Sequence, residues 1–216
     1  MPGEVIVRPL QHKDRPRVRQ IACDTAFMGE PCERFFDGRD VMADALSLYY
    51  TDFEGESCFV AVAGGEVIGY ILGARHVSVV HRIFNQKILL PLLGKAVIQG
   101  IFFKKKSIQF LGHVLWSFLR SEFNEPSFAR EYPAALHINI AHGARSSGAG
   151  SKLIATYLDY LKRAGIAGVH FATFSDSASV FFKQQGFDLL FQTKRSYFWH
   201  VISRDVNLYI FGKRLI

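Results

Sequence analysis

The chain opens on a short β-branched run, Val5, Ile6 and Val7, stopped by Pro9, which predicts a first strand over 5–9. Asp14 then stands as a helix N-cap with Pro16 in the first turn, and Val18, Ile21, Ala22 and Thr25 recur at helical spacing. A second helix is predicted over 41–50, where Val41, Ala45, Leu46, Leu48 and Tyr49 share the 3.6-residue period. The strand-like runs 57–63 and 67–73 flank Gly64-Gly65, and a Gly-Gly pair between two such runs predicts a hairpin, because the tight turn needs positive φ.

Between 77 and 131 the texture changes. Apolar residues become dense and lose strand alternation, Pro91, Gly94 and Gly100 punctuate them, and 107–121 keeps a helical period through Ile108, Leu111, Val114, Leu115 and Phe118. The segment reads as a helical insertion. Alternation returns at 134–141, with Leu136, Ile138 and Ile140 on one side and His137 and Asn139 on the other. A helix over 151–164 follows, apolar at Leu153, Ile154, Tyr157, Leu158 and Leu161 and closed by Gly165; then come a strand over 169–174 and a short helix over 177–185 stopped by Gly186. Two last strands, 187–202 with an interruption or bulge and 206–213, are expected to form a hairpin around Ser203, Arg204 and Asp205.

Composition narrows the classes. With 216 residues, 49% apolar and 21% charged, the chain is globular rather than disordered and long enough for a real core. A net charge of +7 fits nucleic acid, an anionic membrane surface or an acidic small ligand, and eight basic against three acidic residues place +5 of it in 77–131. The three cysteines, Cys23, Cys32 and Cys58, show no CxxC spacing and no nearby His pair, so they read as thiols of a reducing compartment rather than a zinc site or disulfide frame, and no metal is expected. The N-terminal residues lack the basic start and apolar run of a signal peptide, and the apolar stretch 88–103 is too short and too interrupted to span a bilayer; the cytoplasm is the expected compartment.

The chemistry-bearing feature is a strand, then Arg145-Ser146-Ser147-Gly148-Ala149-Gly150, then a helix beginning near Ser151. Glycines there allow a tight turn and close approach of the backbone, the amides converge at the positive end of a helix, and Arg145 adds charge, which is the physical design of a pyrophosphate seat. The loop lacks the Gly-Lys-Ser/Thr ending of a Walker loop and the third glycine and downstream acid of a dinucleotide fold.

In order and spacing the chain resembles the GNAT superfamily of acyl-CoA-dependent N-acetyltransferases. The family's Gln/Arg-x-x-Gly-x-Gly/Ala loop matches Arg145 to Gly150, and its Asn-x-x-Ala-x-x-Phe-Tyr-x-x-x-Gly-Phe pattern matches most positions from Ser175 to Phe187. The core Leu136-His137-Ile138-Asn139-Ile140 looks most like the subset related to the acetyltransferase-like domain found with O-GlcNAcases. The resemblance covers everything outside about 77–131 and implies one α+β domain over 1–216: an α/β/α sandwich with a mixed, mostly antiparallel central sheet of about seven strands flanked by helices. The sheet would splay open after 134–141.

The resemblance also implies acetyl-CoA as cosubstrate, with no metal. Its pantetheine arm would lie against free backbone groups of Ile140, Ala141 and His142. Its pyrophosphate would rest on the amides of Arg145, Ser146, Ser147, Gly148, Ala149, Gly150 and Ser151, and Ser175, Ala178 and Phe182 would line the wall beside the thioester. Two positions depart from the family: Phe182 stands where many members carry a tyrosine acid, and Ser175 stands at the Asn position. Tyr197, expected in the late strand, Ser175 or water is then left to assist the leaving thiolate, and His137, with Asn139 beside it, is the candidate base, acting directly or through water. Asp176 fits the N-cap of the helix at Ser177.

The acceptor expected from this reading is a small-molecule or peptide amine. Lys104-Lys105-Lys106 reads as a solvated turn rather than a nucleic-acid site, having no recognised binding pattern around it. For the insertion, a lid over the cleft or a homodimer surface ranks ahead of a membrane-surface patch through 88–106.

Overall fold

The computed structural model describes residues 4–216. Seven strands form one sheet in the order β1-β2-β3-β4-β5-β7-β6: β1 (Ile6–Pro9), β2 (Cys58–Ala63), β3 (Glu66–Ala74), β4 (Ala134–Ile140), β5 (Gly168–Thr173), β6 (Asp188–Arg195) and β7 (Val206–Arg214). Every neighbouring pair is antiparallel except β4 with β5. The expected α+β sheet flanked by helices is therefore present. The hairpin turns at Gly64 and Gly65, both at positive φ.

One face of the sheet is covered by α1 (Arg15–Asp24) and α2 (Arg39–Phe53). Val18, Ile21 and Ala22 of α1 pack there against Cys58, Val60, Tyr70 and Leu72. The other face is covered by α6 (Ala149–Arg163), whose apolar stripe Leu153, Ile154, Tyr157, Leu158 and Leu161 is buried against Ile71, Leu136, Val169 and Phe171. Burying five large side chains contributes on the order of 10 kcal/mol of gross stabilisation, which fixes α6 on β4 and thereby fixes the loop before it.

Between β3 and β4 the chain is helical at α3 (Val77–Ile83), a π-helical turn, α4 (Leu89–Ile98) and α5 (Lys105–Leu119); it is irregular from 120 to 133 apart from turns. The segment carries regular helix only to Leu119, short of 131.

Other expectations are corrected in detail. Asp14 does not cap α1 with its side chain. It lies buried under Arg8 in a bidentate pair at 2.6 and 2.9 Å and accepts from the Gln11 amide. The penultimate strand stops at Arg195, and 196–205 is not strand: Arg195, Ser196 and Phe198 are buried, and the chain turns into the short helix α8 (Trp199–Ile202). Phe198 leaves the sheet because it is the hub of an aromatic cluster with Phe27, Phe35, Phe110 and Phe174.

Candidate functional site

The two central parallel strands separate almost at once. β4 and β5 pair only at Ala134 with Val169 and Ala135 with His170, while β4 stays paired with β3 through Ile140 and β5 stays paired with β7 through Thr173. The gap therefore opens between Leu136–Ile140 on one side and Phe171–Thr173 on the other. Because antiparallel residues alternate in the direction of their backbone groups, Ile138 and Ile140 turn theirs away from β3, towards the gap. Ala141 differs from expectation. Its amide donates to the Ile68 carbonyl at 2.8 Å and its carbonyl accepts from Ala144 at 2.9 Å, so its backbone is already committed. His142 is exposed and opens a short 3₁₀ turn.

That turn feeds the loop and α6. Gly148 is the N-cap residue at φ +79°, with open space where a Cβ would stand, so glycine is required there for conformation and not for packing. Gly150 serves a different purpose: a Cβ would stand 3.2 Å from the Phe181 ring. Lys152 is the first residue of α6 to donate within the helix, to Gly148, and the Ala149 amide reaches only the Ser147 hydroxyl at 3.4 Å. Among the described residues the amides of Ser146, Gly148, Gly150 and Ser151 meet no acceptor. An exposed helix start with several unpaired donors fits an anionic group such as a pyrophosphate. The Arg145 guanidinium donates to the Gly29 carbonyl at 2.9 Å, so the arginine straps this loop to the 27–30 turn as well as adding charge.

The three candidate catalytic side chains fall in two places. His137 and Asn139 lie on the α1/α2 side of β4. Asn139 Nδ2 donates to Tyr70 Oη at 2.8 Å and faces His137 Nε2 at 3.0 Å, and the imidazole also bonds the Leu46 backbone. Burial pushes the His137 pKa down to about 4, so the ring is neutral at physiological pH with its nitrogens bonded inside the protein. A free base at this position is the expectation the geometry corrects; the ring instead holds the Asn139 amide. Tyr197 lies beyond the end of β6, in a turn, edge-on to Phe174, the residue after β5, with ring centroids 5.7 Å apart. Its hydroxyl has no partner among the described residues, and burial pushes the phenol up, which keeps it protonated.

On α7 (Asp176–Gln184) the cap is Ser175, whose hydroxyl accepts from the Ala178 amide at 3.2 Å. Asp176 is not the cap; it accepts from Tyr209 Oη at 2.7 Å. Ala178 is half-buried, and Phe182 is buried beneath α7 against Phe171 and Phe211.

Two parts of the site went unread in the sequence. Tyr70 completes the Asn139 network, and its only signal was alternation within β3; the register that sets it opposite Asn139 is long-range. The aromatic wall of Phe35, Phe110, Phe174, Tyr197 and Phe198 is drawn from four separate segments. All three cysteines are free and buried, and among the described residues no group of three or more His, Cys, Asp or Glu side chains could hold a metal ion.

The profile of the acetyltransferase (GNAT) family matches residues 17–187. Among solved structures, SsHAT superposes with a TM-score of 0.73 at 23% identity over 99% of each chain. The Drosophila melanogaster polyamine N-acetyltransferase, which catalyses the formation of N-acetylagmatine, gives 0.62 at 13% over 98% of this chain and all of its own. The ribosomal-protein-alanine N-acetyltransferase of Brucella melitensis gives 0.58 at 14% over 97% of this chain and 99% of its own. At these identities the likeness speaks for the fold. No protein of curated function matches the sequence.

Proposed function

The chain belongs to the acetyltransferase (GNAT) family, and from that premise we propose that it transfers an acetyl group from acetyl-CoA to a primary amine of a small-molecule or peptide acceptor by direct attack. The observation that carries this reading is the β4/β5 gap ending on a loop of unpaired amides at the start of α6. In this reading the backbone of Ile138 and Ile140 holds the pantetheine arm, the amides from Ser146 to Ser151 hold the pyrophosphate, and Arg145, Ser175 and Ala178 border the cofactor. By its Leu-His-Ile-Asn-Ile strand the chain groups with the subset related to O-GlcNAcase-associated domains, and the expected compartment is the cytoplasm.

The chemistry follows from charge and proton balance. The ammonium loses a proton to water before its nitrogen attacks the thioester carbon; the C–S bond then breaks, the new amide nitrogen gives its second proton to solvent and the thiolate takes one, so one proton is released per ammonium acetylated. Asn139 Oδ1, whose amide nitrogen is already engaged, accepts a hydrogen bond from the attacking amine. His137 positions that amide. Tyr197 donates a hydrogen bond to the sulfur as charge develops, because a phenol raised by burial is a weaker acid than a thiol and donates without transferring its proton.

Isothermal calorimetry tests the cofactor half of the proposal: acetyl-CoA binds the wild type, and Gly148→Glu, which puts a carboxylate into the open space over the loop, abolishes binding. Failure to bind any acyl-CoA sinks the reading. A second reading, an acyl-CoA-binding regulatory module, is favoured by Phe182, which has no proton to give. A thiol-release assay across amines and peptides separates the two, since the module binds acetyl-CoA and frees no CoA above hydrolysis.

A further inference from the structure

Two helices of this protein are apolar on the side that faces water as well as the side that faces the core. On α4 the inward stripe carries Leu92 and Ala96 in the core and Lys95 paired with Asp44 at 2.6 Å, while every outward residue, Leu90, Pro91, Leu93, Gly94, Val97 and Ile98, is apolar. On α5 the inward stripe includes Ser107, bonded to the Asp37 amide, and Ser117, bonded to Ser196, both fully buried. Its outward face carries Leu115, Trp116, Phe118 and Leu119, all more than half exposed. The connection between them sets Phe103 at the tip, 87% exposed like Ile98. So much exposed apolar side chain on either side of one short connection marks a contact site, because a water-facing helix ordinarily turns its polar stripe outward.

Charge decides what the contact is. From 77 to 121 the sequence holds seven Lys or Arg and no Asp or Glu. Lys105 and Lys106 stand in the first turn of α5, at the positive end of its dipole, with no acidic residue in that turn. The Asp37 carboxylate accepts from the Lys106 amide at 3.1 Å, and the Lys104 and Lys106 ammonium groups donate to the Asp37 and Glu33 carbonyls, so Lys105 is the lysine left to meet an external anion. A second copy of the same surface would set this charge against itself. An apolar crest rimmed by lysines, with tryptophan at its border, fits a bilayer carrying anionic phospholipid. No described helix is long and apolar enough to cross a membrane, and α5, at 15 residues, has the length of a helix lying in the interface.

We propose that the α4–α5 crest docks this protein on an anionic phospholipid surface, with Phe103, Ile98 and the outward face of α5 in the acyl boundary and Lys105 at the headgroups. The inward face of the same helix reaches the aromatic wall through Phe110, 6.1 Å from Tyr197. Docking would therefore set the Tyr197 end of the cleft beside the membrane.

The chain's two tryptophans, Trp116 and Trp199, both lie on this surface and are about half exposed, so intrinsic fluorescence reports docking. The full chain is titrated with vesicles of phosphatidylcholine alone and with phosphatidylserine added. The expected result is a blue shift and co-flotation with the anionic vesicles only, weakened but not abolished by salt. Phe103→Asp and Ile98→Asp change exposed side chains and leave circular dichroism, thermal midpoint and acetyl-CoA affinity unchanged, yet each weakens vesicle partitioning at least about tenfold. Lys105→Glu weakens it on anionic vesicles. Three results overturn the proposal: no association with either vesicle, equal association with both, or a concentration-dependent dimer in ultracentrifugation that Ile98→Asp dissolves while vesicles are ignored.

Discussion

His137 carries the sharpest lesson at the scale of a residue. A histidine alternating with apolar neighbours on a strand is chemically able to act as a base, but the fold bonds its ring to Asn139 and the Leu46 backbone and buries it until its pKa falls to about 4. The kcat/KM profile should accordingly show no limb near pH 6.5 from this group. His137→Gln is expected to lower the thermal midpoint while leaving kcat within a few-fold, and Asn139→Ala to lower kcat about 10- to 100-fold with little change in KM. A limb near 6.5 that disappears in His137→Gln would return the base to this histidine. Tyr197→Phe, which deletes a hydroxyl free of internal partners, should reduce kcat up to about tenfold and leave stability within about 0.5 kcal/mol.

At the scale of elements, the glycine loop before α6 and the start of α7 each depend on one capping residue. Ser175 caps α7 through the Ala178 amide, so Ser175→Ala should destabilise by about 1 kcal/mol in urea unfolding. Gly148 sits at φ +79° with open space around it, so Gly148→Ala should cost about 1 kcal/mol through backbone strain and still admit cofactor, in contrast to Gly148→Glu. The periodic elements, α1, α2, α6, α7 and the Gly64-Gly65 hairpin, were legible because their signals lie within a few residues of each other. The stretch after Arg195 was not. Ser196, Tyr197 and Phe198 read as more strand, but aromatic partners more than 20 residues away pull Phe198 out of the sheet.

For the whole molecule, acidity is the expected weakness. His137, His170 and His200 are all pushed below their ordinary values by burial, so between the folded and unfolded pKa the unfolded chain binds more protons. Stability therefore falls as pH drops below about 6.5. His137 alone accounts for at most about 2 kcal/mol between pH 7 and 5. Asp14, held below the usual carboxylate range by the Arg8 guanidinium beside it, adds a further loss below about pH 4. Urea titrations at pH 7, 6 and 5 should show the midpoint falling steadily, and His137→Gln should flatten the slope. A midpoint constant across that range would mean that the buried histidines titrate normally.

The sequence by itself determined the local order of strands and helices, the glycine loop between β4 and α6 and the concentration of positive charge in 77–131, since each depends on neighbours along the chain. Tertiary structure decided where β4 and β5 part, that the Ala141 amide and carbonyl are already bonded, that Arg145 reaches Gly29, and that α4 and α5 leave apolar residues facing water. Periodicity shows that a helix has an apolar side; only the partners it packs against, Asp44 for Lys95 and Ser196 for Ser117, decide which side faces in.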